Sequence, residues 1–208
     1  MILIGQYDSP FVRRVGIALT LYGLRFEHRP WSVFADAEAI RAHNPLTRVP
    51  VLVLAAGESL IDSAVILDYL DGLVPQALAL FPRSEPARRR EYRIAALACG
   101  LGDKAVSLFY EMRLHDQPSR TLVDRCRTQI LGTLTGLEAS AQDLKSAYWH
   151  GDRPGHADIA VACVWHFLRA AHTGLIEADA YPALADLSNR LEKTPAFCAI
   201  SQPFVAPA

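Results

Sequence analysis

The sequence has few cysteines and no paired cysteine motif, which excludes several classes of protein. Its four cysteines, Cys99, Cys126, Cys163 and Cys198, lie far apart along the 208 residues. Because they form no Cys-x-x-Cys pair, we expect no zinc site, no dithiol redox motif and no disulfide framework. The seven histidines also lack the tight His-Glu-x-x-His type of spacing. The sequence therefore predicts buried free thiols and no metal site.

The sequence also has no hydrophobic run long enough to cross a membrane. Its longest stretch without Asp, Glu, Lys or Arg is residues 194–208, which contains three prolines. A spanning helix needs about 18 apolar residues, so this stretch falls short. The first six residues are followed at once by Asp8, with no basic leader and no small-residue cleavage site. We therefore predict a cytoplasmic protein that has no membrane partner.

Neither sign of charge is in excess. The 21 Lys and Arg residues against 22 Asp and Glu residues give a formal net charge of -1. The bulk electrostatic attraction that favours nucleic acid binding is therefore missing, and no nucleic acid partner is expected. With 51% hydrophobic and 21% charged residues, the composition is that of a chain that folds by itself.

The first 75 residues alternate short apolar runs with helical spacing. A strand over residues 1–6 is followed by apolar residues that recur on one helix face, Phe11, Val15, Ala18, Leu19 and Tyr22. Further strands are predicted at residues 26–30, at 51–54 and at a run ending at Ile61, with helices at 36–43 and 62–73. This βαβαββα order predicts a small mixed sheet flanked by helices.

Beyond residue 75 the strand signal disappears. Residues 76–86 belong to a proline-rich stretch without a sustained period, which predicts a linker. Amphipathic helices are predicted at residues 86–115, after Ser119 and at 182–193, whereas residues 158–171 are apolar almost all round and must be enclosed. We therefore expect a first domain of residues 1–75, a linker of 76–86 and an all-helical domain of 87–208.

Ser9, Pro10 and Phe11 stand where the first strand passes into the first helix. Serine is a favoured N-cap and proline a favoured first helical residue, so a structural role alone is sufficient. The same position presents unpaired N–H groups and a partial positive charge that stabilise an anion such as a thiolate, to which the Ser9 hydroxyl can donate. Tyr7 is a rival donor, or a half-buried aromatic residue at the end of the strand.

Two later pairs of residues also have both a structural and a functional interpretation. Pro50 before an apolar strand either ends the loop or, if the Val49-Pro50 bond is cis, leaves the Val49 backbone free to pair with an extended peptide. Asp62 and Ser63 open the helix after the last strand as capping residues. Alternatively, they form a receptor for an α-amino acid head, with a carboxylate for the ammonium group and N–H groups for the carboxylate.

Taken in this order, before an all-helical domain, the three motifs resemble those of the glutathione transferases. The resemblance covers nearly the whole chain, and the stretches 9–11 and 44–50 are most similar to bacterial members with serine at the active position. It implies a thioredoxin-like N-terminal domain and a helical C-terminal domain. It also implies an enzyme with glutathione as co-substrate and with no metal or redox cofactor.

The resemblance implies a role for each matching residue. Ser9 would hydrogen-bond the glutathione sulfur, with Tyr7 in reserve, and Phe11 would lie beside it. The remaining glutathione contacts would be Val49 with Pro50 at the cysteinyl part, Asp62 and Ser63 at the γ-glutamyl head, and Arg48 near the glycine carboxylate. Thiol-oxidoreductase branches of the family carry cysteine in place of Ser9, so disulfide exchange by a protein thiol is not expected.

The implied reaction is conjugation of glutathione to a hydrophobic electrophile, as in detoxification. We expect the electrophile between Phe11 and the first long helix, with Tyr110, Arg113 and Trp165 as candidate contacts, although core packing is an alternative for Trp165. A glutathione-dependent isomerase or dehalogenase would need a more polar pocket. A non-catalytic interaction protein that has kept the fold is a further alternative.

Two other features of the helical half stand out. The family usually has Ser or Thr where this chain has Gly155, so Asp158 is expected to satisfy the N–H groups at that helix start. The first long helix opens with Arg88, Arg89, Arg90 and Arg93, against its dipole. These arginines form either a solvated face balanced by Glu85 and Glu91 or a contact with a second copy, and we predict a homodimer.

Overall fold

The computed structural model describes residues 1–206, and its first part contains a four-stranded sheet. The elements in chain order are β1 (Ile2–Ile4), α1 (Pro10–Leu21), β2 (Glu27–Arg29), α2 (Ala37–Arg41), β3 (Val51–Val53), β4 (Ser59–Ile61) and α3 (Ser63–Gly72). The sheet order is β2-β1-β3-β4, with β1 parallel to β2 and the other pairs antiparallel. The predicted βαβαββα order and the mixed sheet are confirmed.

Alternating side chains explain why both faces of this sheet are covered. Leu3 of β1 and its partner Leu52 of β3 pack into the main core with the apolar faces of α1 and α3. The next pair, Ile4 and Val51, points to the other face and packs with Ile40 of α2. Successive residues of a strand point to opposite faces, so these central strands must be apolar at every position.

The second part of the chain is helical. Its elements are α4 (Ala87–Leu114), α5 (Arg120–Gln142), α6 (His156–Ala171), a 3-10 turn (Ala178–Ala180), α7 (Pro182–Glu192) and α8 (Pro195–Ala199). The predicted long helices are confirmed, whereas the 3-10 turn and α8 were not predicted. Helix α6 is enclosed by α1, α4 and α7, as its apolar surface requires. The fold is a thioredoxin-like domain followed by a helical domain.

A buried polar cluster joins the two parts. The Asp71 carboxylate of α3 accepts hydrogen bonds from His156 Nε2 at 2.9 Å, from the Tyr22 hydroxyl and from the backbone N–H of Phe81 at 3.2 Å. Burial lowers the pKa of His156, so the ring is neutral and Nε2 carries the donated proton. This cluster holds the start of α6 against α1 and α3, and thereby the cleft between the two parts.

The glycine at the start of α6 is explained by close packing. A Cβ atom at Gly155 would lie 2.7 Å from the carbonyl oxygen of Leu80 and 2.8 Å from the Cβ of His150, so no side chain fits. Asp158 accepts from the backbone N–H of Gly155 at 2.9 Å and from that of Trp149 at 3.0 Å. The Asp158 carboxylate therefore also ties the preceding loop to the helix start.

No helix within residues 1–206 is long and apolar enough to cross a membrane.

Candidate functional site

A cavity of about 670 Å³ opens in the cleft between the sheet and the helical part. Four segments line it: the start of α1, the loop after β2, the loop before β3, and a wall made by α4, α6 and the C-terminal segment. These segments lie far apart in the sequence. The cavity is of the size and character that a small-molecule site requires.

The start of α1 places a hydroxyl and a free N–H group at the cavity. Ser9 is the N-cap, with Pro10 as the first helical residue, and both line the cavity together with Phe11. The Ser9 Oγ atom accepts from the N–H of Val12 at 3.4 Å, a long hydrogen bond for a cap. Within residues 1–206, neither the Ser9 hydroxyl proton nor the Phe11 N–H is donated to a protein acceptor. Both donors are available to an anion at the helix N-terminus.

The ring of Phe11 is accommodated by a glycine of the facing helix. A Cβ atom at Gly102 of α4 would lie 3.2 Å from the Phe11 Cζ atom. The absence of a side chain there lets the ring pack closely against α4. Phe11 therefore lies at the boundary between the start of α1 and the helical wall.

The loop before β3 presents backbone groups to the cavity. The buried side chain of Asn44 holds this loop, with Nδ2 donating to the carbonyl oxygen of Arg48 at 2.8 Å and Oδ1 accepting from Leu46 N–H at 3.0 Å. The Val49-Pro50 peptide bond is cis, and Val49 lines the cavity. Within the described residues the N–H and C=O of Val49 have no hydrogen-bond partner. They are available to an extended ligand.

Arg48 also lines the cavity, where it is the single cation among the described lining residues. Its guanidinium lies 3.2 Å from the carboxylate of Asp103 on α4, and both side chains are largely exposed. An exposed ion pair of this kind contributes little to stability. The Arg48 side chain can therefore exchange this partner for the carboxylate of a ligand at small cost.

Asp62 and Ser63 are at the start of α3, outside the set of residues that line the cavity. Asp62 has a φ of 71° and its Oδ1 atom accepts from the N–H of Ala64 at 2.8 Å. A positive φ is costly for a residue other than glycine and is often retained at functional sites. The Asp62 carboxylate is exposed, whereas Ser63 is buried. The geometry supplies an exposed carboxylate beside unpaired helix N–H groups, as the sequence predicts.

The loop after β2 belongs to the cavity but was not predicted. Trp31, Ser32, Val33, Phe34 and Ala35 all line it. The Phe34 ring meets the ring of Tyr110 edge-on, with centroids 5.4 Å apart. Two aromatic residues in a short stretch between a strand and a polar helix were the sequence signal that could have indicated this wall.

The helical wall is aromatic. Phe109 and Tyr110 of α4 and Phe167 of α6 line the cavity, and Phe204 closes the group with edge-on contacts to Phe109 at 5.1 Å and Phe167 at 5.7 Å. Tyr110 is brought to the cavity as predicted, and its partial burial raises the pKa of its hydroxyl. The arrangement gives flat apolar surfaces on which an aromatic ligand can pack.

The C-terminal segment was not predicted to take part, although it supplies Phe204 and Val205 to the cavity. It is held by residues around the start of α1. Arg13 Nε donates to the carbonyl oxygen of Ile200 at 2.9 Å, Tyr7 N–H donates to Gln202 Oε1 at 3.1 Å, and Val205 N–H donates to Asp8 Oδ2 at 3.2 Å. The long run without charged residues at 194–208 was the sequence signal that could have indicated this segment.

Besides Pro50, Asp62 and Ser63, three further residues predicted for the site do not line the cavity. The Tyr7 ring stacks on His28 with centroids 3.8 Å apart, and its half-burial raises the pKa of the hydroxyl to about 12. Trp165 is buried in α6 and packs against Tyr181, so core packing, the alternative kept for it, is what the structure has. Arg113 lies on an exposed part of α4, one turn beyond Tyr110.

No group of three or more His, Cys, Asp or Glu side chains within residues 1–206 is arranged to hold a metal ion.

Family models and relatives agree with this fold. Residues 3–77 match the model of the glutathione S-transferase N-terminal domain, and residues 120–190 match that of the C-terminal domain. An uncharacterised GST-like protein of Escherichia coli, YibF, is 36% identical over 81% of this chain and 82% of its own length. The chain therefore belongs to the glutathione transferase superfamily.

Two further relatives bear on function. A maleylacetoacetate isomerase of Pseudomonas aeruginosa is 32% identical over 95% of this chain and 93% of its own length. A glutathione S-transferase of Methylobacterium radiotolerans, whose structure was solved in complex with glutathione sulfonate, superposes with a TM-score of 0.89. It is 32% identical, and the match covers 100% of this chain and 98% of that chain.

Proposed function

We propose that this protein is a glutathione transferase that activates the thiol of glutathione and conjugates it to a hydrophobic electrophile. The observation that carries the proposal is that Ser9, at the N-terminus of α1, lines the same cavity as the aromatic wall of Phe109, Tyr110 and Phe167. A thiolate at Ser9 would face an aromatic electrophile across one cavity. The glutathione sulfonate complex of the Methylobacterium relative supports glutathione as the co-substrate.

In this mechanism the Ser9 hydroxyl and the Phe11 N–H donate to the glutathione sulfur, and the α1 dipole adds a partial positive charge. Val49 would pair its backbone groups with the cysteinyl part, and Asp62 and Ser63 would hold the γ-glutamyl head. Arg48 would face the glycine carboxylate. The sulfur then forms a bond to the electrophilic carbon, and a leaving group such as a halide departs with the bonding electrons.

Positioning must supply most of the acceleration. A thiol with a pKa of about 8.5 is roughly 3% ionised at pH 7, and a pKa of about 6.5 would raise this roughly 25-fold. The lower basicity of such a thiolate would cancel about 6- to 10-fold of that gain. Ionisation alone therefore gives only a few-fold increase. The aromatic wall, which holds the electrophile beside the sulfur, supplies the larger factor.

The proposal is tested at Ser9. If the Ser9 hydroxyl donates to the thiolate, Ser9→Ala and Ser9→Gly should both raise the apparent pKa in the pH dependence of kcat/KM by roughly one to two units. If Ser9 only caps α1, Ser9→Ala should cost about 0.5 to 2 kcal/mol of stability, Ser9→Gly only a few tenths, and the pH profile should not move.

Tyr7→Phe is the matched comparison, because the Tyr7 ring lies on His28 and away from the cavity. We expect its pH profile to follow that of the wild type. A shifted profile in Tyr7→Phe, together with unshifted profiles in both Ser9 variants, would transfer the role to Tyr7.

An isomerase activity is the second candidate, favoured by the relative from Pseudomonas aeruginosa. The same thiol site would serve both reactions, because isomerisation through glutathione also needs a thiolate. The apolar character of the wall favours conjugation, since an isomerase or a dehalogenase would need a more polar pocket. Turnover screens with aryl halides, peroxides and unsaturated acids separate these reactions, and the absence of any turnover would favour a non-catalytic interaction protein.

A cytoplasmic location and a homodimer complete the proposal. The arginines at the start of α4 are weaker support than expected, because Arg88 lies 3.7 Å from Asp68 and Arg89 lies 3.2 Å from Glu85 in the same chain. Support for a dimer comes instead from the exposed apolar side chains Val65, Tyr69 and Leu73 of α3 and the residue after it. Light scattering at micromolar concentration should give twice 22.9 kDa, and a monomer mass would exclude the dimer.

A further inference from the structure

The described lining residues of the cavity carry two formal charges, and these lie on different segments. The positive charge is Arg48, on the loop that would receive the glycine end of glutathione. The negative charge is Asp8, next to Ser9 and therefore next to the position of the sulfur. The anion next to Ser9 and the cation on the loop before β3 therefore face the cavity from different walls.

We call the part of the cavity beside the aromatic wall the electrophile half; it is lined by Asp8, Phe109, Tyr110, Phe167 and Phe204. The Oδ2 atom of Asp8 accepts from the N–H of Val205, in the segment that also supplies Phe204 to the aromatic wall. Burial raises the pKa of Tyr110, the negative charge of Asp8 adds to this increase, and the positive charge of Arg48 opposes it. Asp8 is therefore an electrostatic neighbour of the aromatic residues on which an electrophile would pack.

We propose that Asp8 makes the electrophile half of the cavity selective against anionic substrates, so that the protein conjugates uncharged or cationic aromatic electrophiles. The inference rests on the proposed function and narrows its substrate class. A carboxylate on the electrophile would lie in a partly buried cavity with a like charge, while the single lining cation, Arg48, would be occupied by the glycine carboxylate of glutathione. The substrate of a maleylacetoacetate isomerase is an acid with two carboxylates, which this half of the cavity would disfavour.

Asp8 could instead serve only to anchor the C-terminal segment, and the two roles can be separated. Asparagine has the shape of aspartate and keeps an oxygen that accepts the Val205 N–H, but it removes the charge. Asp8→Asn therefore changes the electrostatics while retaining the anchor. Asp124→Asn is the matched control, because Asp124 lies on the exposed side of α5, 3.8 Å from Arg120 and away from the cavity, and the net charge changes equally.

The test compares two glutathione conjugates, S-benzylglutathione and its analogue with a carboxylate on the benzyl ring. Both carry the same glutathione part, so the dissociation constant of the carboxylate conjugate divided by that of the neutral conjugate reports the electrophile half alone. Calorimetry should show that the wild type binds the neutral conjugate more tightly. Two like charges in one cavity at an effective dielectric constant of about 20 change an affinity on the order of 10-fold. Asp8→Asn should reduce the ratio by about this factor, and Asp124→Asn should not.

Each result decides one proposal. A ratio that is the same in Asp8→Asn and in the wild type, or one that moves equally in Asp124→Asn, would overturn the selectivity role of Asp8. Wild-type protein that binds neither conjugate would overturn the proposed glutathione site itself. Steady-state rates with a neutral aryl chloride and its carboxylate analogue provide a second readout. The kcat/KM for the neutral substrate divided by that for the anionic substrate should be smaller in Asp8→Asn than in the wild type.

Discussion

The two halves of the proposed site are built in different ways. The half proposed for glutathione is made by local structure: Ser9 bonds Val12, Asn44 bonds Arg48 and Asp62 bonds Ala64, over two to four residues. The half proposed for the electrophile depends on contacts between the ends of the chain. Tyr7 bonds Gln202, Arg13 bonds Ile200 and Asp8 bonds Val205, across 195, 187 and 197 residues.

This difference determines which part of the proposed site is altered by substitutions elsewhere in the sequence. A local turn keeps its shape when the remote sequence changes, so the half that holds a constant co-substrate can be inherited as a set of short motifs. The electrophile wall is assembled from remote elements, and substitutions in any of them alter its shape without disturbing the motifs. Loops and chain ends carried by a rigid scaffold are where binding specificity is usually found.

The largest effect is expected at the ion pair that joins α1 to α7. Arg13 of α1 is almost completely buried and makes a bidentate pair with Glu192 of α7, with both N–O distances 2.7 Å. Removing one partner of a buried pair leaves an uncompensated charge, so Glu192→Gln should destabilise the protein by about 3 kcal/mol in urea unfolding. The control Glu85→Gln, which breaks the exposed pair with Arg89, should cost less than about 1 kcal/mol.

The pH dependence of this link has a definite sign. Burial by itself raises the pKa of Glu192, but hydrogen bonds from His166 and Arg13 outweigh it and lower the pKa to about 2. The unfolded carboxylate has a pKa of about 4.3. The pair therefore stabilises the native state above about pH 4.3, and this contribution is lost as the pH falls toward 2. The stability difference between wild type and Glu192→Gln should shrink over that range, and a constant difference would contradict the assignment.

The next largest effect tests the glutathione half. If Asp62 holds the ammonium group of the γ-glutamyl head, Asp62→Ala should raise the dissociation constant of glutathione roughly 10- to 150-fold, because a charge-assisted bond contributes about 1.5 to 3 kcal/mol. Calorimetry measures this directly.

Asp62→Asn serves as the comparison, since asparagine tolerates a positive φ and still accepts from Ala64 N–H. Loss of affinity in both variants indicates that the charge binds glutathione. Full affinity in Asp62→Asn would reduce Asp62 to a helix cap, and full affinity in both would remove it from the site.

The same difference explains what the sequence could predict. Ser9, the loop at 44–50 and the pair Asp62-Ser63 could be singled out as candidates because capping residues and turn residues act within a few positions of themselves. The order of strands and helices followed from hydrophobic spacing for the same reason.

The electrophile half was predicted only in part. Tyr110 was identified from its place beside the apolar stripe of α4, but Trp165 was not excluded, because a helix that is apolar all round gives no sign of which face meets a cavity. Phe34, Phe204 and Asp8 were not predicted to line the cavity, since their places in it arise from contacts between segments that the sequence cannot bring together.

The smallest effect is expected at Phe204, in the C-terminal segment that closes the aromatic wall. Its ring contacts Phe109 and Phe167 edge-on, and such aromatic pairs contribute about 0.5 to 1.5 kcal/mol each. An aromatic electrophile that packs on Phe204 would make one further contact of this kind, so Phe204→Ala should raise its KM about 2- to 12-fold, while the KM for glutathione stays within the error of the steady-state measurement. Phe204→Leu keeps the apolar bulk and distinguishes the two sources of affinity. If Phe204→Leu restores nearly the whole affinity for the electrophile, burial of apolar surface is its main source, whereas little recovery of affinity assigns the effect to the edge-on ring contacts.

An increase in the KM for glutathione equal to that for the electrophile would contradict the division into two halves, because it would mean that the C-terminal segment supports the whole cavity.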